Sequence, residues 1–143
     1  MNGTRLSPTG LAEPAARRLP LTARPGAVAE AREFTAAFLA DVGDPMMVAD
    51  AVLLVSELVG NAVRHTRGPR ALLLIRAGGR LRIEVSDESP RPPTPRPPHG
   101  PDEKGGLGLF LLLSIALQWG WRPMGPGKTV WCDLRLPGGP PQG

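Results

Sequence analysis

Glu57, Asn61 and His65 recur every four residues through the otherwise apolar run 46–65. On an α-helix that spacing stacks side chains one above another, so the three form a polar stripe. The rest of the surface there is Val48, Val52, Leu54, Val55, Leu58, Val59, Ala62 and Val63. The amide oxygen of Asn61 is a hard, neutral ligand suited to magnesium, which keeps several waters and shares substrate phosphates. One turn earlier, Glu57 is placed to orient a hydroxyl or water at the same phosphate, or to take its proton. The competing reading is a stripe that faces solvent on an amphipathic helix. His65 would either touch phosphates or satisfy carbonyls at the helix end, and the second role is the commoner one for such a histidine.

Three more signals follow. Asp87 comes just after an alternating strand pattern, in Val85-Ser86-Asp87-Glu88-Ser89-Pro90. There a carboxylate can accept a hydrogen bond from the exocyclic amine of a base, or simply form a turn. Gly105-Gly106-Leu107-Gly108-Leu109 opens an apolar helix pattern, where backbone N–H groups and the helix dipole suit phosphate oxygens. Gly127-Lys128-Thr129 starts a strand pattern but lacks the upstream glycine and the spacing of a P-loop.

These residues need a scaffold, and the periodicities supply one. Strand patterns cover 18–22, 71–77, 80–85, 119–124 and 127–136, and Gly78-Gly79 reads as a hairpin turn. Helical spacing covers 27–40, where Val28, Ala31, Phe34, Ala37 and Phe38 share a face, then 46–65 and 107–118. Asp44-Pro45 is a good N-cap and first-turn pair for the middle helix. Proline recurs so densely over 90–101 that neither a helix nor a central strand fits, which leaves a long functional loop. The reading is a single domain at 17–136 between tails at 1–16 and 137–143 without structure of their own.

Composition narrows the classes. The one cysteine, Cys132, excludes an internal disulfide and fits a reducing compartment. Position 132 lies in a strand pattern, which suits a packed residue better than a nucleophile. The N-terminal residues are polar, without the apolar core of a signal peptide. The apolar stretch 107–121 is broken by Gly108, Gln118 and Gly120 and is short for a membrane span. A cytoplasmic protein without membrane contact is expected. Net charge is +4, but the arginines are scattered and no aromatic ladder accompanies them, so direct nucleic-acid binding is not expected. A positive rim around a phosphate pocket, or a face for an acidic partner, accounts for the charge.

In this order the pieces resemble the ATP-binding domain of the gyrase, chaperone, histidine-kinase and MutL (GHKL) superfamily, whose nucleotide pocket is the Bergerat fold. Glu57-Leu58-Val59-Gly60-Asn61-Ala62-Val63-Arg64-His65 looks like its N box, Asp87-Glu88-Ser89-Pro90 its G1 box, and Gly106-Leu107-Gly108-Leu109-Phe110-Leu111 its G2 box. Leu54-Val55-Ser56-Glu57-Leu58-Val59, Gly120-Trp121-Arg122 and Gly127-Lys128-Thr129-Val130-Trp131 are similar to the stand-alone anti-sigma-factor serine kinases.

The resemblance implies a two-layer α/β (α+β) sandwich, a mixed, mainly antiparallel sheet with helices on one face. It also implies ATP and magnesium as cofactors. Asn61 would hold the metal, Glu57 would act as the catalytic group, and Asp87 would meet the adenine amine with Thr129 assisting through water. Gly106, Gly108 and Leu109, with Lys104, would bind the nucleotide beneath a lid at 89–105, where Arg96, Asp102, Glu103 and Lys104 are the charged candidates. The G1 box departs from the frequent Asp-x-Gly-x-Gly, which stiffens the backbone beside the base. The implied function is phosphorylation of an antagonist (STAS-type) protein on serine or threonine and binding of a sigma factor, with a homodimer possible. The alternative is a non-catalytic module in which nucleotide gates protein binding.

Overall fold

The computed structural model describes residues 15–65, 68–92 and 114–138. Along the chain they form β1 (Ala15–Pro20), α1 (Ala27–Phe38), α2 (Pro45–His65), β2 (Pro69–Ala77), β3 (Arg80–Asp87), β4 (Gln118–Met124) and β5 (Gly127–Arg135). The five strands make one sheet in the order β1-β2-β3-β5-β4, and every described pairing is antiparallel. α2 packs on β2, β3 and β5, and α1 packs on α2, β1 and β2. The two-layer α+β sandwich expected from the sequence is therefore the fold.

Local chemistry sets the elements. The Asp44 carboxylate accepts the Met47 N–H at 3.1 Å, the N-cap bond that starts α2. Ala51, Leu54, Val55, Leu58, Val59 and Ala62 bury one stripe of that helix against Leu72, Leu74, Leu81, Ile83, Val85, Val130, Cys132 and Leu134 of the sheet. By length and hydropathy α2 would also pass for a membrane span, but its apolar stripe is the core of this domain. Gly78 and Gly79 both take positive φ, 60° and 75°, the conformation that lets a two-residue turn follow the strand twist.

The structure moves several expected boundaries. β1 begins at Ala15, so 15 and 16 belong to the sheet, and Arg17 and Arg18 lie within the strand. α1 ends at Phe38, because Ala40 N–H bonds back to Ala37 and Val42 N–H to Leu39 in tightened turns. The buried residues of α1 are Ala27, Ala31 and Thr35, while Ala37 is exposed. Thr35 tolerates full burial because its hydroxyl donates to the Ala31 carbonyl at 2.8 Å. β3 runs through Asp87, which makes this residue the end of the strand. The segment 107–113 lies outside the described residues, and Gln118 opens β4 instead of ending a helix. The Leu117 N–H bonds to the Asp133 carbonyl at 2.8 Å and the Gln118 amide to the Asp133 carboxylate at 2.7 Å, which draws both onto β5.

Candidate functional site

The last turns of α2, the end of β3 and the start of β5 meet at one end of the sandwich. Three residues after α2, the Gly68 carbonyl accepts the Glu88 N–H at 3.0 Å, and Pro69 stands opposite Asp87 in the sheet. Across β3, Asp87 stands opposite Lys128. Asn61 and Asp87, 26 positions apart in sequence, are thus held by elements stitched together at one rim.

On α2, Glu57 and Asn61 are both half-buried. With 3.6 residues per turn they fall at the border of the stripe formed by Leu54, Leu58 and Ala62, not opposite it. Neither side chain projects freely into solvent. The Asn61 Oδ1 accepts a hydrogen bond from Arg64 at 2.9 Å, which brings a guanidinium beside the carboxamide. An amide oxygen retains a second lone pair, so that contact leaves one for a cation. Among the described residues no three His, Cys, Asp or Glu side chains come together around a metal. A divalent ion at Asn61 would take the rest of its shell from water and phosphate, as magnesium does, so the donor set fits. The His65 side chain lies outside the described residues, as do Lys104, Gly106, Gly108 and Leu109.

At the sheet end Asp87 is buried, 4% exposed, and not alone. The Lys128 Nζ lies 3.1 Å from each of its carboxylate oxygens, and the Ser89 N–H donates to Oδ1 at 2.8 Å. Lys128 is itself only 7% exposed. Gly127 makes this approach possible: a methyl group there would collide with the Asp87 carbonyl, so only hydrogen fits. Gly127 is accordingly the first strand residue, and the turn before it is Gly125-Pro126, with Gly125 at φ 56°.

Thr129 does not join Asp87. Side chains alternate along a strand, so Asp87 and Lys128 point to the helix-covered face, and Ser86 and Thr129 to the other. There the Thr129 hydroxyl lies 2.9 Å from that of Ser86 and donates to the Met124 sulfur at 3.0 Å. The residue that does face Asp87 is Lys128. A charged residue at the parity of Val130, Cys132 and Leu134 was the available signal in the sequence.

That second face carries its own charged layer. Arg82 donates to Asp133 through Nε at 2.8 Å and its terminal nitrogen at 2.9 Å, and lies 4.2 Å from the centre of the Trp131 ring. Arg122 bonds Glu84 at 2.9 Å. Burial alone would raise the Asp133 carboxyl, but hydrogen bonds from Arg82 and Gln118 outweigh it and hold the group below the ordinary carboxylate range. In this layer the Trp131 ring packs against the Arg82 guanidinium. On the helix-covered face, burial and then the Asp133 charge push the Cys132 thiol up to about 12, so it is a core group and no nucleophile. A groove of about 680 Å³ between α1 and α2, lined by residues such as Arg32, Leu39, Val52 and Leu53, contains none of the expected site residues.

Comparison with known proteins agrees with this fold. Residues 21–132 match the family described as histidine kinase-like ATPase domain. No curated protein matches the sequence. Among solved structures, the RsbU and RsbW domains of Rv1364c from Mycobacterium tuberculosis are similar in fold, with a TM-score of 0.66 and 24% sequence identity. The match covers 85% of this chain and 32% of that one, so this chain spans about a third of that protein's length. A match running from Leu21 to Cys132, well over half of the 143 residues, on an ATPase-type sandwich, means that this chain belongs to the histidine kinase-like ATPase domain family.

Proposed function

We propose that this ATPase-family domain is an ATP-binding regulator of the anti-sigma type, which phosphorylates an antagonist protein on serine or threonine and binds a sigma factor. The observation that carries the reading is the pair Glu57 and Asn61, one helical turn apart and half-buried at the border of the α2 core stripe. They lie on α2, and three residues beyond its end the Gly68 carbonyl bonds to Glu88, the neighbour of Asp87. The fold likeness to a protein containing an RsbW domain supports the same branch.

In this reading Asn61 holds the phosphate end of the nucleotide through a metal, and Asp87 accepts the adenine amine. Magnesium, held by Asn61, would supply positive charge against the phosphates. Glu57 orients the incoming hydroxyl and takes its proton as the oxygen bonds to the γ-phosphorus and ADP departs. Positioning and charge stabilisation supply most of the acceleration in such transfers. Arg64, already beside Asn61, adds positive charge at the phosphate end. Gly106, Gly108, Leu109 and Lys104 are proposed as further nucleotide contacts, and the protein as cytoplasmic.

The test is incubation with γ-labelled ATP, magnesium and a STAS-type antagonist. Label on the antagonist that disappears with Glu57→Ala supports the kinase. Bound nucleotide with no label on any antagonist assigns the domain to nucleotide-gated protein binding instead.

A further inference from the structure

We propose that Lys128 reads the nucleobase together with Asp87: the carboxylate accepts the exocyclic amine of adenine while the Lys128 ammonium donates to the ring nitrogen beside it. This rests on the ATP reading and deepens it by adding a specificity-determining residue.

The argument starts from hydrogen-bonding capacity. A carboxylate offers about four lone-pair positions over its two oxygens. Oδ1 of Asp87 already receives the Ser89 N–H and Lys128, whereas Oδ2 receives Lys128 alone among the described residues. One acceptor position on Oδ2 is therefore open. Lys128 carries three N–H donors, and its two contacts with Asp87 use at most two of them. Among the described residues it has no other acceptor, so at least one donor is unspent at a position 7% exposed. Buried polar groups left in that condition are costly, and a ligand that completes them recovers the cost.

The open acceptor and the unspent donor stand side by side, on groups 3.1 Å apart. Adenine presents the complement along one edge, an N–H donor on the exocyclic nitrogen next to the bare ring nitrogen N1. Guanine presents the reverse, a carbonyl oxygen next to an N–H. A base held in register by its phosphates would then set the guanine carbonyl against the Asp87 carboxylate and its N–H against the Lys128 ammonium. A lone carboxylate reads only the amine, while the pair reads both atoms. The hydrogen-bonding site also explains why a lysine sits at a strand position whose neighbours on the same face, Val130, Cys132 and Leu134, are apolar and buried.

Equilibrium binding of ATP and of 1-deaza-ATP, in which a C–H replaces N1, tests the pairing on the full chain. Wild-type protein should bind ATP about tenfold to a hundredfold more tightly than the deaza analogue, the range of a hydrogen bond to a charged group. In Lys128→Met the two should bind within about twofold of each other, and the preference over GTP should shrink. An equal affinity of the wild type for the two ligands, or an undiminished gap in Lys128→Met, overturns the proposal while leaving ATP binding intact. Wild-type protein that binds neither ligand overturns the ATP reading itself. Where the Met variant does not hold its fold, the ¹⁵N resonance of the Lys128 ammonium decides. It should shift with ATP and not with 1-deaza-ATP, and equal shifts with both overturn the assignment.

Discussion

Arg82 grips Asp133 with two parallel hydrogen bonds across the β3–β5 pair, while its guanidinium lies over Trp131. Asp133 is 3% exposed, so on the face of the sheet away from α1 and α2 this carboxylate is as buried as a core residue.

Its depressed pKa gives a sign to pH dependence. The unfolded chain titrates this group near 4, and the folded chain below that. The stabilisation is therefore complete above the unfolded value and is lost as pH falls through the folded one. Asp133→Asn should lower unfolding stability by about 2 kcal/mol at pH 7. Urea denaturation at pH 7 and pH 3 should show that gap narrowing in acid, and an identical gap at both would remove the ion pair as its source.

Cys132 should resist alkylation. With its thiol near 12, the thiolate at pH 8 is on the order of one part in ten thousand, and the sulfur is fully buried. Iodoacetamide followed by mass spectrometry should find the native protein unmodified and the urea-unfolded protein fully labelled. Rapid native labelling would contradict the packing of β5 against α2.

Gly127 and Gly43 make a matched pair. A methyl at Gly127 meets the Asp87 carbonyl, whereas at Gly43 it meets nothing within 4 Å. Gly127→Ala should cost about 3 kcal/mol or more or prevent folding, while Gly43→Ala should stay within about 0.5 kcal/mol of wild type. Thermal unfolding measures both, and equal effects would refute the close approach of β5 to the end of β3.

Asn61→Ala should abolish the magnesium-dependent part of ATP affinity, a loss on the order of tenfold or more. The fold should remain, since alanine favours a helix and the Arg64 contact is exposed. Titration with and without magnesium, alongside circular dichroism, separates the two effects. An unchanged magnesium response would remove Asn61 from metal binding.

Periodicity is what made the fold legible. The stripe of α2, the Asp44-Pro45 start and the Gly78-Gly79 hairpin are local signals that packing reinforces. The departures come from tertiary contacts that no local pattern carries. Thr35 is buried because its hydroxyl closes on its own helix, and Gln118 is strand because Asp133 holds it. The site divides along the same line. The placement of Glu57 and Asn61 one turn apart on α2 was readable from four-residue spacing. The partner of Asp87 depends on the β3–β5 register, and a shift of one residue exchanges Thr129 for Lys128 and turns one sheet face into the other.

The strand order also fixes how firmly the Asp87–Lys128 end of the sheet is built. Asp87 and Lys128 belong to β3 and β5, each flanked by strands on both sides, with β1 and β4 as the outer edges. Edge strands fray first in native-state hydrogen exchange, and central ladders open last. The pair is therefore preorganised, and a nucleobase bound there as proposed need not draw on the free energy of ordering a sheet.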